Sequence, residues 1–229
     1  KQLVYFLTQS GLAGRDMMYD QNYRYNLEVR KALEKVYTTF EGDKTTQDWL
    51  NFEIYLKRVW FSNGMHHHYS TVKLKADFSK DYLKTLLSET GTTLSDDALD
   101  AIFNDKDLKK VNLDPKKGLV LGSAINFYDA DITEAEVDAY YASIIDKKDK
   151  TPISYGLNSK IIRGKDGKLK EEFYKVGGLY GAALEKVVYW LEKAQAVAEN
   201  ESQAEALGLL IEFYKTGDLK IWDQFNIKW

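Results

Sequence analysis

His66, His67 and His68 are the only histidines in the chain, and they stand side by side. In an extended segment His66 and His68 share one face and His67 takes the other. Two imidazoles on one face can begin a zinc site. A catalytic zinc takes three protein ligands, so a carboxylate from elsewhere would have to complete it. The same triplet also suits plain packing or surface hydrogen bonds. With Trp60, Phe61 and Tyr69 beside it, it equally suits the wall of a polar binding cleft. Residue types alone leave all three readings open.

Other chemistry is easier to exclude. The chain has no cysteine, which removes thiolate nucleophiles, disulfides and cysteine-ligated zinc together. It has no His-Glu-x-x-His helix, no P-loop and no Gly-x-Ser-x-Gly elbow. Gly177, Gly178 and Gly181 precede a helical pattern but lack both the Lys-Ser/Thr ending of a phosphate loop and the dinucleotide spacing. They read as a helix entry. The adjacent pairs Asp96-Asp97 and Glu171-Glu172 point to different sides of any regular element and read as caps or solvated faces.

The elements that must position the histidines are mostly helical. Leu3, Phe6, Leu7 and Ser10 fall at helical spacing before Gly11–Gly14. A longer helix is expected from Tyr23 to Phe40, and another after Thr46 on the stripe Trp49, Leu50, Ile54, Leu56 and Trp60, up to the turn at Asn63-Gly64. Residues 69–76 suit a short extended segment. Ser79, Ser95 and Thr133 are N-caps for three further helices, the last within a capping box. Gly118 to Tyr128 reads either as a strand or as a loop. Asp166-Gly167 between two strand-like runs predicts a β-hairpin within 153–176, and strong helical patterns follow at 180–199 and 202–214. The fold class is α+β, predominantly helical with a small β component. No repeat or linker divides it, so 1–229 reads as a single lobe-like domain.

Composition bounds the function. The chain has 229 residues, 44% hydrophobic and 29% charged, as a folded globular protein should have. Lys and Arg number 32 against 35 Asp and Glu, so there is no basic excess to hold nucleic acid. No apolar run approaches the roughly 20 residues of a membrane span. Aromatic residues reach 14%, including 16 tyrosines, enough for a well-packed core and for clefts that grip peptides or sugars. The chain begins at Lys1 without an initiator Met. Something upstream is therefore expected, and the compartment, cytoplasmic or periplasmic, stays open.

Several segments resemble dipeptidyl peptidase III, a family of zinc metallopeptidases. Ser10-Gly11-Leu12-Ala13-Gly14-Arg15-Asp16 followed by Tyr19-Asp20-Gln21-Asn22-Tyr23 is similar to bacterial members. So is Leu56-Lys57-Arg58-Val59-Trp60-Phe61-Ser62-Asn63-Gly64 running into the His triplet, Tyr69 and Ser70. More distantly, Gly178 to Asn200 resembles a helix found in animal members as well, through Val187-Val188, Leu191-Glu192-Lys193-Ala194 and Ala198. The family's catalytic His-Glu-x-x-x-His and downstream Glu ligand have no counterpart in this chain, nor do its substrate-binding Tyr and Asn residues.

The resemblance therefore implies the N-terminal, zinc-free portion of a longer peptidase, facing a zinc lobe across a wide cleft. It implies no catalytic or metal-binding residue here and no cofactor in this chain, with zinc in the complete enzyme. There, zinc-activated water and a Glu base would release dipeptides from the N-terminus of oligopeptides. The partners implied are an oligopeptide substrate, paired along a strand edge, and the missing catalytic lobe. By the family pattern His68 and Tyr69 approach the substrate, while Asn63 and Gly64 shape a turn. The apolar ending Ile221 to Trp229 reads as a chain that continues. The alternative, from a different functional class, is a standalone non-catalytic relative that binds peptides or a partner protein.

Overall fold

The computed structural model describes residues 1–109, 114–123, 127–151 and 153–229. In chain order the helices are α1 (Gln2–Ala13), α2 (Arg15–Asn22), α3 (Asn26–Thr39), α4 (Gln47–Ser62), α5 (Lys80–Glu89) and α6 (Asp96–Phe103). After a 3₁₀ turn at Pro115–Lys117 come α7 (Gly118–Gly122) and α8 (Glu134–Ile144), then strands β1 (Ser159–Arg163) and β2 (Leu169–Phe173). The chain ends in α9 (Gly181–Gln195), α10 (Glu201–Thr216) and α11 (Leu219–Lys228). Among the described residues the fold is predominantly helical with one small antiparallel hairpin, as the residue patterns require.

By its internal packing the chain divides into two compact units. One is Met18–Leu113; the other joins Lys1–Met17 to Asp114–Trp229.

The Met18–Leu113 unit is a helical cluster. Val29, Leu33 and Val36 of α3 meet Trp49, Phe52, Leu56 and Val59 of α4, and Leu83, Leu86, Ala98 and Ile102 of α5 and α6 close the core. Stacked and edge-on rings, Phe40 on Trp49 at 4.7 Å and Phe78 on Tyr55 at 5.6 Å, fill what the aliphatic side chains leave. Thr46, Ser79 and Ser95 each accept a backbone N–H in the first turn of α4, α5 and α6, as N-caps do. The buried stripe of α4 differs from the one expected. Leu50 and Ile54 face outward, because Trp49, Phe52, Leu56 and Val59 recur at the helical period on the opposite side.

In the other unit α1 lies along α9, and α9 packs on α10. Leu3, Val187, Val188, Leu191, Ala194, Leu207 and Ile211 form their common core. A second small core of Val120, Ile132, Val137 and Ile161 lies under the hairpin. There β1 pairs with β2 from Ser159↔Phe173 to Arg163↔Leu169, and Gly167 at φ 78° supplies the left-handed turn position. On the other edge of β1, Ile161 donates to Phe127 O at 2.9 Å and accepts from Asp129 at 3.1 Å. Thr133 and Glu136 make the reciprocal capping box of α8. Of Gly118 to Tyr128, 118–122 is a helical turn, Tyr128 makes one bridge to Ile161, and residues 124–126 lie outside the described residues. The cap of α10 is Asn200, two residues before the expected start, and α11 has no counterpart in the sequence reading.

Candidate functional site

The histidine triplet sits where α4 stops. Asn63 takes a left-handed conformation at φ 51°, which ends the helix. Gly64 follows at φ 147°, and a β-carbon there would overlap the Asn26 side-chain amide. Two asparagines hold this turn. Asn22 Nδ2 donates to Asn63 O at 2.9 Å, and Asn26 Oδ1 accepts from the Met65 backbone at 3.0 Å.

Beyond the turn the backbone folds back on itself. Leu74 donates to Met65 O at 2.9 Å, His67 to Val72 O at 2.7 Å, and Ser70 to His67 O at 3.2 Å. The expected extended segment at 69–76 is thereby reduced to one bridge, His66↔Lys73, flanked by turns. The reason is local: reversing the chain within a few residues leaves no length for a strand.

This folding separates the three histidines. His66 is fully buried, edge-on to Tyr23 at 4.8 Å, with Nε2 3.2 Å from Asp107 O. A carbonyl only accepts, so Nε2 carries a proton, while Nδ1 is buried without a hydrogen-bond partner. Asp107 is itself a hub. Its carboxylate accepts from Tyr23 Oη at 2.6 Å and Arg24 Nη2 at 2.9 Å, and pairs with Lys73 Nζ at 3.3 Å. Lys73 also donates to Ala101 O. The loop is therefore anchored by charge-assisted hydrogen bonds at a position where Lys73 and Asp107 are 6% and 7% exposed.

His67 and His68 point elsewhere and stack on each other at 4.5 Å. His68 meets Phe61 edge-on at 4.9 Å and the Tyr69 ring at 4.1 Å. Tyr69 is 89% exposed. The expectation that His66 and His68 share a face fails, since the turn at 67–70 rotates the chain between them. His68 and Tyr69, the two residues singled out from the sequence, do lie together at the surface.

Beside them is a hollow of about 430 Å³. Ile54, Phe61 and Leu74 give it an apolar floor, Lys57 and Arg58 line its rim, and Ser62, His67 and His68 complete it. Sequence reasoning missed Ile54, Lys57 and Arg58 as site residues. The available signal was the run 54, 57, 58 and 61, one helix face four positions long.

Zinc does not fit here. His66 is committed to Asp107 O inside the core, and His67 and His68 stack instead of converging. Among the described residues no group of three or more His, Asp or Glu is placed to hold a metal ion. Nor is any described helix long and apolar enough to cross a membrane.

Comparisons with known proteins bear on the fold. The sequence profile of peptidase family M49 matches residues 121–229. Among solved structures, DPP III from Caldithrix abyssi superposes with a TM-score of 0.56 at 19% identity, over 100% of this chain and 32% of that one. The fold is therefore that of part of DPP III, and the chain spans about a third of the length of that enzyme. No curated protein matches the sequence.

Proposed function

We propose that the chain builds part of the zinc-free, substrate-cleft side of a DPP III-type peptidase, and that 1–229 acts as one lobe-like portion of it. In this reading the complete enzyme removes dipeptides from the N-terminus of oligopeptides. The metal and the general base come from sequence that this chain does not contain, and the chain alone is inactive. Its own contribution is binding: Tyr69 and His68 touch the extended peptide. The observation that carries the reading is the likeness of the whole chain to part of DPP III, together with a family profile covering its second half. The anchoring of the 65–74 loop supports it. A ring exposed to solvent on a loop fixed by Asp107, Asn22 and Asn26 meets a ligand at little further entropic cost. Val4, Tyr5 and Leu12 on α1 and Tyr189 on α9 expose apolar surface suited to packing against a catalytic lobe.

The test is a titration of the chain with unmodified hexapeptides, followed by NMR at Tyr69 and His68, alongside an assay on a dipeptidyl arylamide. Shifts at both residues that saturate, with no hydrolysis, are expected. Unperturbed Tyr69 and His68 at millimolar peptide, or turnover by the chain alone, would overturn the proposal.

A further inference from the structure

The hollow beside the histidines has a chemical character of its own. Its floor, Ile54, Phe61 and Leu74, is apolar, and Phe61 is 74% exposed. Among the described residues its only permanently charged lining groups are Lys57 and Arg58, and none of those lining it is a carboxylate. Both cations rest on acids outside the hollow, Lys57 on Glu53 at 2.9 Å and Arg58 on Asp77 at 3.6 Å. Lys57, Arg58 and Asp77 are open to water, and Glu53 is one-quarter exposed. Exposed pairs of this kind hold weakly and exchange readily for a better-placed anion. In the wall, His68 Nδ1 is buried without a partner, a position that a bound polar group would satisfy.

We infer that this hollow receives the C-terminal residue of a peptide, its apolar side chain on Ile54, Phe61 and Leu74 and its carboxylate on Lys57 and Arg58. The spacing selects that ligand. Ile54, Lys57, Arg58 and Phe61 follow one another along one face of α4, with neighbouring positions about 5–6 Å apart. The apolar floor and the cationic rim are therefore one residue's width from each other. A C-terminal residue carries its side chain and its carboxylate on the same Cα, which matches that width. A fatty acid separates its charge from most of its apolar surface by the length of its chain. The volume, about 430 Å³, lies toward the small end of ligand pockets. It suits one or two residues and not a folded domain. Arg58 can hold a carboxylate with two parallel N–H bonds, which an amide cannot replace. The inference rests on the peptide-binding reading above and adds to it which end of the peptide lies here and which residue class it favours.

The experiment uses the chain with its Ile and Leu methyl groups labelled. It is titrated with a hexapeptide ending in leucine as the free acid, with the same peptide as its C-terminal amide, and with decanoate. The free acid is expected to shift the Ile54 and Leu74 methyls and to bind at least about tenfold more tightly than the amide. The Lys57→Gln, Arg58→Gln double variant changes only exposed side chains and should fold. It is expected to erase the difference between acid and amide. Equal binding of acid and amide by the unaltered chain overturns the inference, as does tighter binding of decanoate than of the peptide. Peptide-induced shifts at Tyr69 and His68 with Ile54 and Leu74 silent also overturn it, and leave the peptide-binding reading standing. Silence at all four positions overturns both.

Discussion

At the residue scale, His66 shows how little a residue type says before its surroundings are known. Three adjacent histidines suggested a shared face and, among other readings, a metal. The fold instead buries one and stacks the other two, because the chain reverses between 65 and 74. Nothing in the local sequence announces Asp107, some forty residues later, as the partner of His66. The burial of His66 creates a pH dependence. Burial holds the His66 imidazole below its ordinary value of 6.5; the hydrogen bond to Asp107 O pulls the other way, and the charges of Lys73 and Lys109 add lesser contributions on the side of burial. The unfolded chain takes up a proton as pH falls through 6.5, and the folded chain resists it until its own lower value is reached. Stability is thus fully present above 6.5 and declines as pH drops below it, by at most about 1.4 kcal/mol per pH unit for a single proton. Asp107 acts in a different window. Burial works to raise its pKa, but the hydrogen bonds from Tyr23 and Arg24 and the charge of Lys73 outweigh it. Its contribution is present above 3.8 and lost as pH falls through its depressed folded value. Urea midpoints measured at pH 7.5, 6.5 and 5.5 should therefore decline in the unaltered chain and decline less in His66→Gln. Parallel declines in the two proteins would mean that His66 titrates as it does in the unfolded chain.

At the element scale much was legible, because caps and turns are local chemistry. Ser79, Ser95, Thr133 with Glu136, and Asp166-Gly167 all act as their side chains and backbone preferences dictate. What could not be read was which face of a helix is buried. On α4 both Ile54 and Phe52 are apolar, and only packing against the rest of the core, Phe78 at 5.9 Å included, decides that Phe52 goes inside. The Asn63-Gly64 turn shows the same division. Its existence was legible, whereas the asparagine clamp that makes glycine obligatory there comes from α2 and α3. Two glycine substitutions separate the backbone effect from the clamp. Gly91→Ala meets open space at φ 56° and should cost only the left-handed penalty, about 1–2 kcal/mol. Gly64→Ala adds an overlap with the Asn26 side chain at φ 147° and should cost at least about 1 kcal/mol more. It should also quicken amide exchange at Met65, His67 and Leu74, whose bonds depend on the turn. Equal costs at the two glycines would show that Asn26 yields freely and does not hold the loop.

At the scale of the whole molecule, one unit is assembled from separated stretches of chain. The helical periods of α1, α9 and α10 were visible in the sequence, but not that residues 2–13 complete a core with residues 187–211. Amphipathic faces carry no label for their partners, so long-range pairing is the part of a fold least accessible to local patterns. The consequence can be measured. Leu191 lies in the middle of this core with Leu3, Val187, Val188, Leu207 and Ile211, and it is 4% exposed. Truncating it in Leu191→Ala removes contacts that α1 shares and should cost about 2–5 kcal/mol. Because α1 has no side-chain cap at its N-terminus and docks chiefly on α9, it should be the first element released. Hydrogen exchange is expected to accelerate throughout 2–13 as well as in α9 and α10. The buried amides of Val29, Leu33 and Leu56, which belong to a different core, should keep their rates. Faster exchange in α10 with α1 unchanged would show that the N-terminal helix is held by something other than this core. Faster exchange everywhere would show that the two cores unfold as one cooperative unit.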